Sequence, residues 1–307
     1  MCSITDKHII LKNLNILESD LKDLHAVIIS KDTITYNKVL NQLTDILINS
    51  WDDACKKAIN NAIEYVVNKG EANFTESDIK DIDAMMQKAL GTDLAGAVES
   101  SVMDLNQMAL KLGLKEVLKS LKLKLGFDVS DQEAAAILGK HNMFFIGDYY
   151  NSQLSGNIDK VIRDYFTSNK TLEEVANDFE IQFGKIIDKG TDYFKLLADH
   201  TVNRTREIGR INGYEKAGII KYEIKATMNE RTCELCIEMN GKIFEVQQAI
   251  DLRDKILGMD DPRDIKNIAP WRSPDEIKGL SVADLPGGME FPPFHGYCYC
   301  LTVAYFE

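Results

Sequence analysis

The sequence lacks proline over most of its length, since all six prolines of the 307-residue chain lie at or after Pro262. Proline interrupts helix interiors, so its absence permits long helices in everything before that point. No run of about 18 apolar residues occurs, which excludes a membrane-spanning helix from the prediction. Residues 1–8 lack the basic and apolar regions of a secretory signal, so we expect a reducing compartment. The net charge of −12 argues against a surface devoted to nucleic acid.

Apolar residues recur three and four positions apart through the first two thirds of the chain, which predicts a mainly α protein. These helices fall into an N-terminal helical region at 1–125 and a second helical region at 126–220. The predicted helices cover about 6–30, 33–68, 75–91, 94–125, 134–138, 141–166, 171–184 and 191–216. Glycines are expected to end or interrupt them, at Gly70, Gly91, Gly113, Gly184 and Gly218.

After Gly218 the hydrophobic period changes to two, which predicts strands at 221–227, 242–246 and 300–305. Asn240-Gly241 is a tight-turn signal just before the second strand. We therefore predict a small α+β module at 221–307 with an antiparallel sheet. Residues 247–290 form a long acidic, proline-bearing insertion, and connections of that length are often binding or flexible segments.

Soft metal ligands lie in two clusters of this module. Cys233 and Cys236 form a C-x-x-C pair, and an H-x-x-C-x-C cluster follows at His295, Cys298 and Cys300. Thiolate and imidazole ligands at these spacings favour zinc, which needs four ligands where five are offered. The sequence predicts a structural, zinc-knuckle-like site with either Cys298 or Cys300 as the fourth ligand.

Other roles for the cysteines are open at this point. The pairs could form disulfides, or they could lie reduced in a small core. A redox C-x-x-C is disfavoured, because no thioredoxin-like strand–helix pattern surrounds Cys233. Cys2 is isolated, and Cys55 falls on an apolar helical stripe, so we expect Cys55 to be buried.

Two groups of basic residues are candidates for contact with nucleic acid. The first alternates with leucines near the end of the fourth helix and includes Lys111, Lys115 and Lys119. The alternative for this group is a solvated lysine face over a leucine core, which is the usual arrangement. The second group, Arg204, Arg206 and Arg210, lies on the last long helix, where pairing with nearby carboxylates is an equal alternative.

A longer pattern resembles a known family over roughly residues 170–305. The residues that carry the resemblance are Arg204, Asn212, Gly218, Arg231-Thr232-Cys233-Glu234-Leu235-Cys236, Gly241-Lys242-Ile243-Phe244 and Pro292-Pro293-Phe294-His295-Gly296-Tyr297-Cys298-Tyr299-Cys300. This order is similar to the phage head morphogenesis, or minor capsid, family of the phage Mu F type. Asn229 and Tyr299 depart from it, since an aspartate and an arginine are common there.

The resemblance implies a structural assembly factor of a tailed phage or prophage. Such a protein would associate with the portal protein and with capsid or scaffold proteins inside the procapsid, and it would lie in the host cytoplasm during assembly. Some family members bind DNA, and no membrane partner is implied.

Two further functions are kept as alternatives. One is a DNA-binding module that uses the basic groups. The other is a zinc-dependent nucleic-acid-processing enzyme, such as a nuclease. The deaminase signature H-x-E with P-C-x-x-C and the protease signature H-E-x-x-H are both missing, so we expect no catalysis.

Overall fold

The computed structural model describes residues 34–69, 75–156, 160, 172–228, 230 and 232–306. The predicted helix at 6–30, Cys2, Asn229 and Arg231 lie outside the described residues. Helices dominate the described part and a small three-stranded sheet lies near its C-terminal end, so the predicted fold class is confirmed. None of the described helices is long and apolar enough to span a membrane.

Five helices account for most of the described residues before the sheet. They are α1 (Ile34–Lys69), α2 (Glu76–Gln87), α3 (Leu94–Ser120), α4 (Val129–Tyr149) and α5 (Leu172–Lys216). A π-helical turn at Lys88–Asp93 joins α2 to α3, and another at Tyr150–Leu154 extends α4. The prediction that Gly91 ends a helix is therefore wrong.

The predicted breaks at Gly113 and Gly184 are also wrong, because α3 and α5 are continuous through them. The predicted end at Gly218 is confirmed. Gly218 has φ +67°, and Ile219 N–H donates to Tyr214 O across the last turn of α5 at 3.0 Å. This is the left-handed C-terminal cap that glycine favours.

The C-terminal module contains β1 (Lys221–Ala226), α6 (Glu234–Met239), β2 (Ile243–Glu245), α7 (Val246–Leu257), α8 (Ile265–Ile268) and β3 (Cys300–Tyr305). The three predicted strands are thus confirmed. The strand order is β2-β1-β3, and both pairings are antiparallel. Residues 247–290 are folded rather than irregular, since α7, α8 and three short 3₁₀ turns lie within them.

The described residues group into two compact units, and the borders fall inside helices. Unit 1 includes 34–39, 108–134 and 202–306, and unit 2 includes 40–107 and 135–201. These units do not follow the predicted borders at 125 and 220. Contacts between residues distant in sequence decide such units, so hydrophobic periodicity along the chain cannot reveal them.

Unit 2 has an aromatic core around Trp51, whose ring lies 5.5 Å from that of Tyr149 and 5.3 Å from that of Phe194. The indole N–H of Trp51 donates to Ile187 O at 3.1 Å. A Cβ atom at Gly190 would approach the indole ring to 2.2 Å, so the missing side chain makes room for Trp51. Cys55 is buried on α1, the helix that carries Trp51, as predicted.

Unit 1 is built around the second half of α5, which is buried on every side from Thr205 to Tyr214. Helix α3 crosses it at glycines: a Cβ atom on Gly113 would lie 1.8 Å from Arg206 O, and one on Gly209 would lie 2.2 Å from Leu110 O. Tyr214 stacks on Tyr222 of β1 with ring centroids 6.0 Å apart. The sheet is therefore packed against α5.

Candidate metal centre

The first cysteine pair lies where β1 leads into α6. Cys233 is the N-terminal cap of α6, and its Sγ accepts a hydrogen bond from Cys236 N–H at 3.5 Å. Thr232 Oγ1 donates to Thr227 O at 2.6 Å, which closes the turn between strand and helix. Both sulfurs are thereby held on one side of the turn.

The second cluster reaches the same place through the pairing of β1 with β3. Cys300 is the first residue of β3 and pairs with Ala226, the last residue of β1. Antiparallel strands place the end of one beside the start of the other. Thr227 Oγ1 extends the pairing by donating to Tyr299 O at 3.1 Å. The topology thus brings ligands about sixty residues apart in the sequence to one end of the sheet.

The donor atoms of the two clusters are in contact. His295 Nε2 lies 3.2 Å from Cys233 Sγ and 3.0 Å from Cys236 Sγ. Cys236 Sγ lies 3.9 Å from Cys298 Sγ. The ligand atoms form two groups, and within each group all of them lie within 4.8 Å of one another. The groups are Cys233–Cys236–His295 and Cys236–Cys298–Cys300, which share Cys236. The structure therefore brings all five predicted ligands together, and the cluster could hold a metal ion.

The tautomer of His295 suits metal binding. Its Nδ1 lies 2.6 Å from Gly296 O, and a carbonyl oxygen can only accept, so Nδ1 carries a proton and donates it. The remaining nitrogen, Nε2, is the one that faces the sulfurs of Cys233 and Cys236. A ligating histidine is commonly oriented in this way, with its other ring nitrogen bonded to a carbonyl.

Neighbouring groups shift the pKa values of several groups in the cluster. Hydrogen bonds from Cys236, Cys300 and His295 lower the pKa of the buried Cys298 thiol well below its usual value. The hydrogen bond to Cys298 raises the pKa of His295 to about 9. The bonds to Cys298 also raise the pKa of Cys236, while Cys236 and Cys298 together raise that of Cys300. A lowered thiol pKa favours the thiolate, which is the form of cysteine that binds a metal ion.

Two of the arginines predicted as phosphate contacts are buried in ion pairs. Arg206 and Arg210 are 1% and 2% exposed, and both pair with Glu116 of α3, at 2.8 Å and 2.6 Å. Their guanidinium groups are occupied inside unit 1, which corrects their prediction as phosphate contacts. The pairing alternative is the one that the geometry favours. Arg204, on the same helix, is partly buried.

The lysines of α3 lie nearer the surface. Lys115 and Lys119 are exposed and one helical turn apart. Lys111 is partly buried, with its ammonium group 4.6 Å from the ring centroid of Phe127. Of the six basic residues singled out in the sequence, these two exposed lysines remain the ones suited to a phosphate.

A buried polar network, which was not predicted from the sequence, fixes β3. Arg210 Nε donates to Thr302 O at 2.9 Å, and Thr302 N–H and Oγ1 donate to Glu207 Oε2 at 3.0 Å and 2.8 Å. β3 is an edge strand, so these side chains satisfy backbone groups that face away from β1. The i, i+3 spacing of Glu207 and Arg210 on a helix was the available signal.

No protein-family model, curated protein or solved structure matches the chain.

Proposed function

We propose that the cluster is a structural zinc centre and that the protein is a head morphogenesis, or minor capsid, protein of a tailed phage or prophage. The supporting observation is that motif pieces separated in the sequence are neighbours in space. The C-x-x-C pair, the Gly241-Lys242-Ile243-Phe244 turn and strand, and the H-x-x-C-x-C cluster belong to one three-stranded sheet and its end.

Zinc fits the donor set and its spacing. Tetrahedral zinc with Zn–S of about 2.3 Å and Zn–N of about 2.0–2.1 Å places two sulfurs about 3.8 Å apart and sulfur and nitrogen about 3.6 Å apart. The distances of 3.9 Å between sulfurs and 3.0–3.2 Å between sulfur and nitrogen are close to these edges. The ligands proposed are Cys233, Cys236, His295 and Cys298, because His295 contacts Cys233 and Cys236, and Cys236 lies 3.9 Å from Cys298.

A structural role is proposed over a catalytic one. A catalytic zinc keeps an open position for water or substrate, whereas this cluster offers five protein donors for four positions. Cys236, Cys298 and Cys300 are also buried, at 4%, 1% and 3% exposure. Zinc at the end of a short sheet would supply folding free energy that so small a core cannot.

The metal is tested on purified full-length protein by elemental analysis and thermal unfolding. One zinc per chain is expected. Cys236→Ser should lose the zinc and lower the Tm, whereas Cys55→Ser, the control for a buried cysteine outside the cluster, should keep the zinc. Protein that binds no zinc and melts unchanged after Cys236→Ser would contradict the metal centre.

The partner is tested separately by co-purification with the portal protein encoded nearest to this gene. Retention of the wild-type chain on immobilised portal is expected. Absence of retention at low and physiological salt, with folded protein, would refute the assembly role while leaving the zinc centre intact.

Contact with DNA through Lys115 and Lys119 is a second candidate, supported by their exposure on one helix face. Affinity that falls with salt at a slope of about −0.9 per phosphate contact is expected if they bind DNA. Glutamate at both positions should abolish the binding.

Incubation with plasmid DNA and divalent metal tests the nuclease alternative, for which no cleavage is expected.

A further inference from the structure

Cys300, the fifth soft ligand, is held in place by contacts outside the cluster. It begins β3, pairs with Ala226 and is 3% exposed. Two residues along the strand, Thr302 is bonded by Arg210 on its carbonyl and by Glu207 on its N–H and hydroxyl. The Cys300 sulfur is therefore fixed beside those of Cys236 and Cys298, with which it forms a three-ligand group.

Cys233 occupies the opposite side of the cluster and is fixed less firmly. It is partly exposed, and it stands at the start of α6, which has six residues. Its sulfur groups with Cys236 and His295, but not with Cys300. Cys236 is thus common to both groups and lies beside Cys298, with the accessible thiol of Cys233 in one group and the buried thiol of Cys300 in the other.

We propose that Cys300 is a reserve ligand, which replaces Cys233 without release of the metal ion. The inference rests on the zinc centre proposed above. In the exchange, Cys300 gives up its thiol proton as its sulfur binds the ion, and the departing Cys233 thiolate takes up one proton. No electron is transferred, and the ligand set remains three sulfurs and one nitrogen. Cys236 and Cys298 belong to both sets, so neither can be replaced.

This arrangement predicts an unequal response to the loss of each ligand. Cys233→Ser and Cys300→Ser should each retain one zinc per chain, since a complete set remains in both. The variant with both substitutions should lose more zinc affinity than the loss of about 10–100-fold that follows removal of a supporting contact. Cys236→Ser and Cys298→Ser should behave like the double variant.

The test combines zinc stoichiometry, competition with a chromophoric chelator and X-ray absorption spectroscopy on the full chain. For Cys233→Ser we expect one zinc with three sulfur donors and one nitrogen donor. Two sulfurs in that variant, or zinc loss equal to that of the double variant, would overturn the proposal. A wild-type protein without zinc would instead refute the metal centre itself.

Alkylation supplies a second measurement that needs no substitution. Zinc-loaded wild-type protein is treated with iodoacetamide and examined by native mass spectrometry, followed by peptide mapping. We expect a singly alkylated species at Cys233 that still carries zinc. Loss of zinc in step with the first alkylation at Cys233 would show that Cys300 does not take its place.

Discussion

Gly113 lies where α3 crosses α5, and Gly113→Ala tests whether that crossing depends on a missing side chain. The added Cβ would stand 1.8 Å from Arg206 O, 2.8 Å from Arg206 C and 3.0 Å from Arg210 N. All three atoms are backbone, so no side-chain rotation relieves the overlap. Helix α3 must therefore move away from α5 by about 1 Å, and overpacking of this kind costs about 1–3 kcal/mol, occasionally more.

Alanine also has an intrinsic advantage over glycine in a helix of about 1 kcal/mol, which reduces the observed loss. The overlap at Gly113 is with a backbone atom at well under contact distance, so we take the upper end of the range. The net destabilisation expected is about 2 kcal/mol, equivalent to a Tm lower by roughly 3 °C for a chain of this size. The measurement is urea unfolding followed by circular dichroism.

Gly96→Ala is the matched control on the same helix, because a Cβ there meets nothing within 4 Å. It should stabilise the protein by about 0.5–1 kcal/mol through helix propensity alone. Equal stabilisation by both substitutions would refute the claim that Gly113 is needed for the close approach.

Three further outcomes are expected. Arg210→Met leaves the buried Glu207 carboxylate without its ion-pair partner and should cost about 3–5 kcal/mol in denaturant unfolding; a loss below about 1 kcal/mol would contradict the network. At pH 7 zinc binding should release a proton from His295, whose pKa is about 9, and one from Cys236, whose pKa is raised. Zinc affinity should therefore rise with pH through about 9, where His295 loses its proton, and calorimetry in buffers of different ionisation enthalpy counts the protons. Gly190→Ala would crowd the Trp51 ring at 2.2 Å and should lower stability by about 1–3 kcal/mol, with altered tryptophan fluorescence.

The strands and the ligand cluster were predictable because their signals are local. Alternation identified β1 and β3, and two-residue spacing identified Cys233 and Cys236 as a pair. The pairing of Ala226 with Cys300 then follows from antiparallel geometry, since one strand leads into the first cluster and the other leaves the second. Chain order and strand direction were sufficient to bring the ligands together.

The helix breaks and the arginines were not predictable, because distant contacts decide them. Gly113 is required where α3 meets α5, so it does not end a helix. The sequence does not distinguish a glycine that allows close packing from a glycine that ends a helix. Likewise, Arg206 and Arg210 read as a basic stripe until Glu116, about ninety residues earlier, is placed beside them.

The sheet is too small to account for its own stability, which explains why other groups fix β3 at its start and at Thr302. β2 has three residues, and β3 is an edge strand with one neighbouring strand. Sheets of this size need packing against a helix or a metal. Here α5 provides the packing through Tyr214 and bonds Thr302 with two buried side chains, while the Cys/His cluster lies where β3 begins. Removal of zinc should therefore loosen the start of β3 before the region around Thr302, and amide exchange at those two positions would separate the contributions.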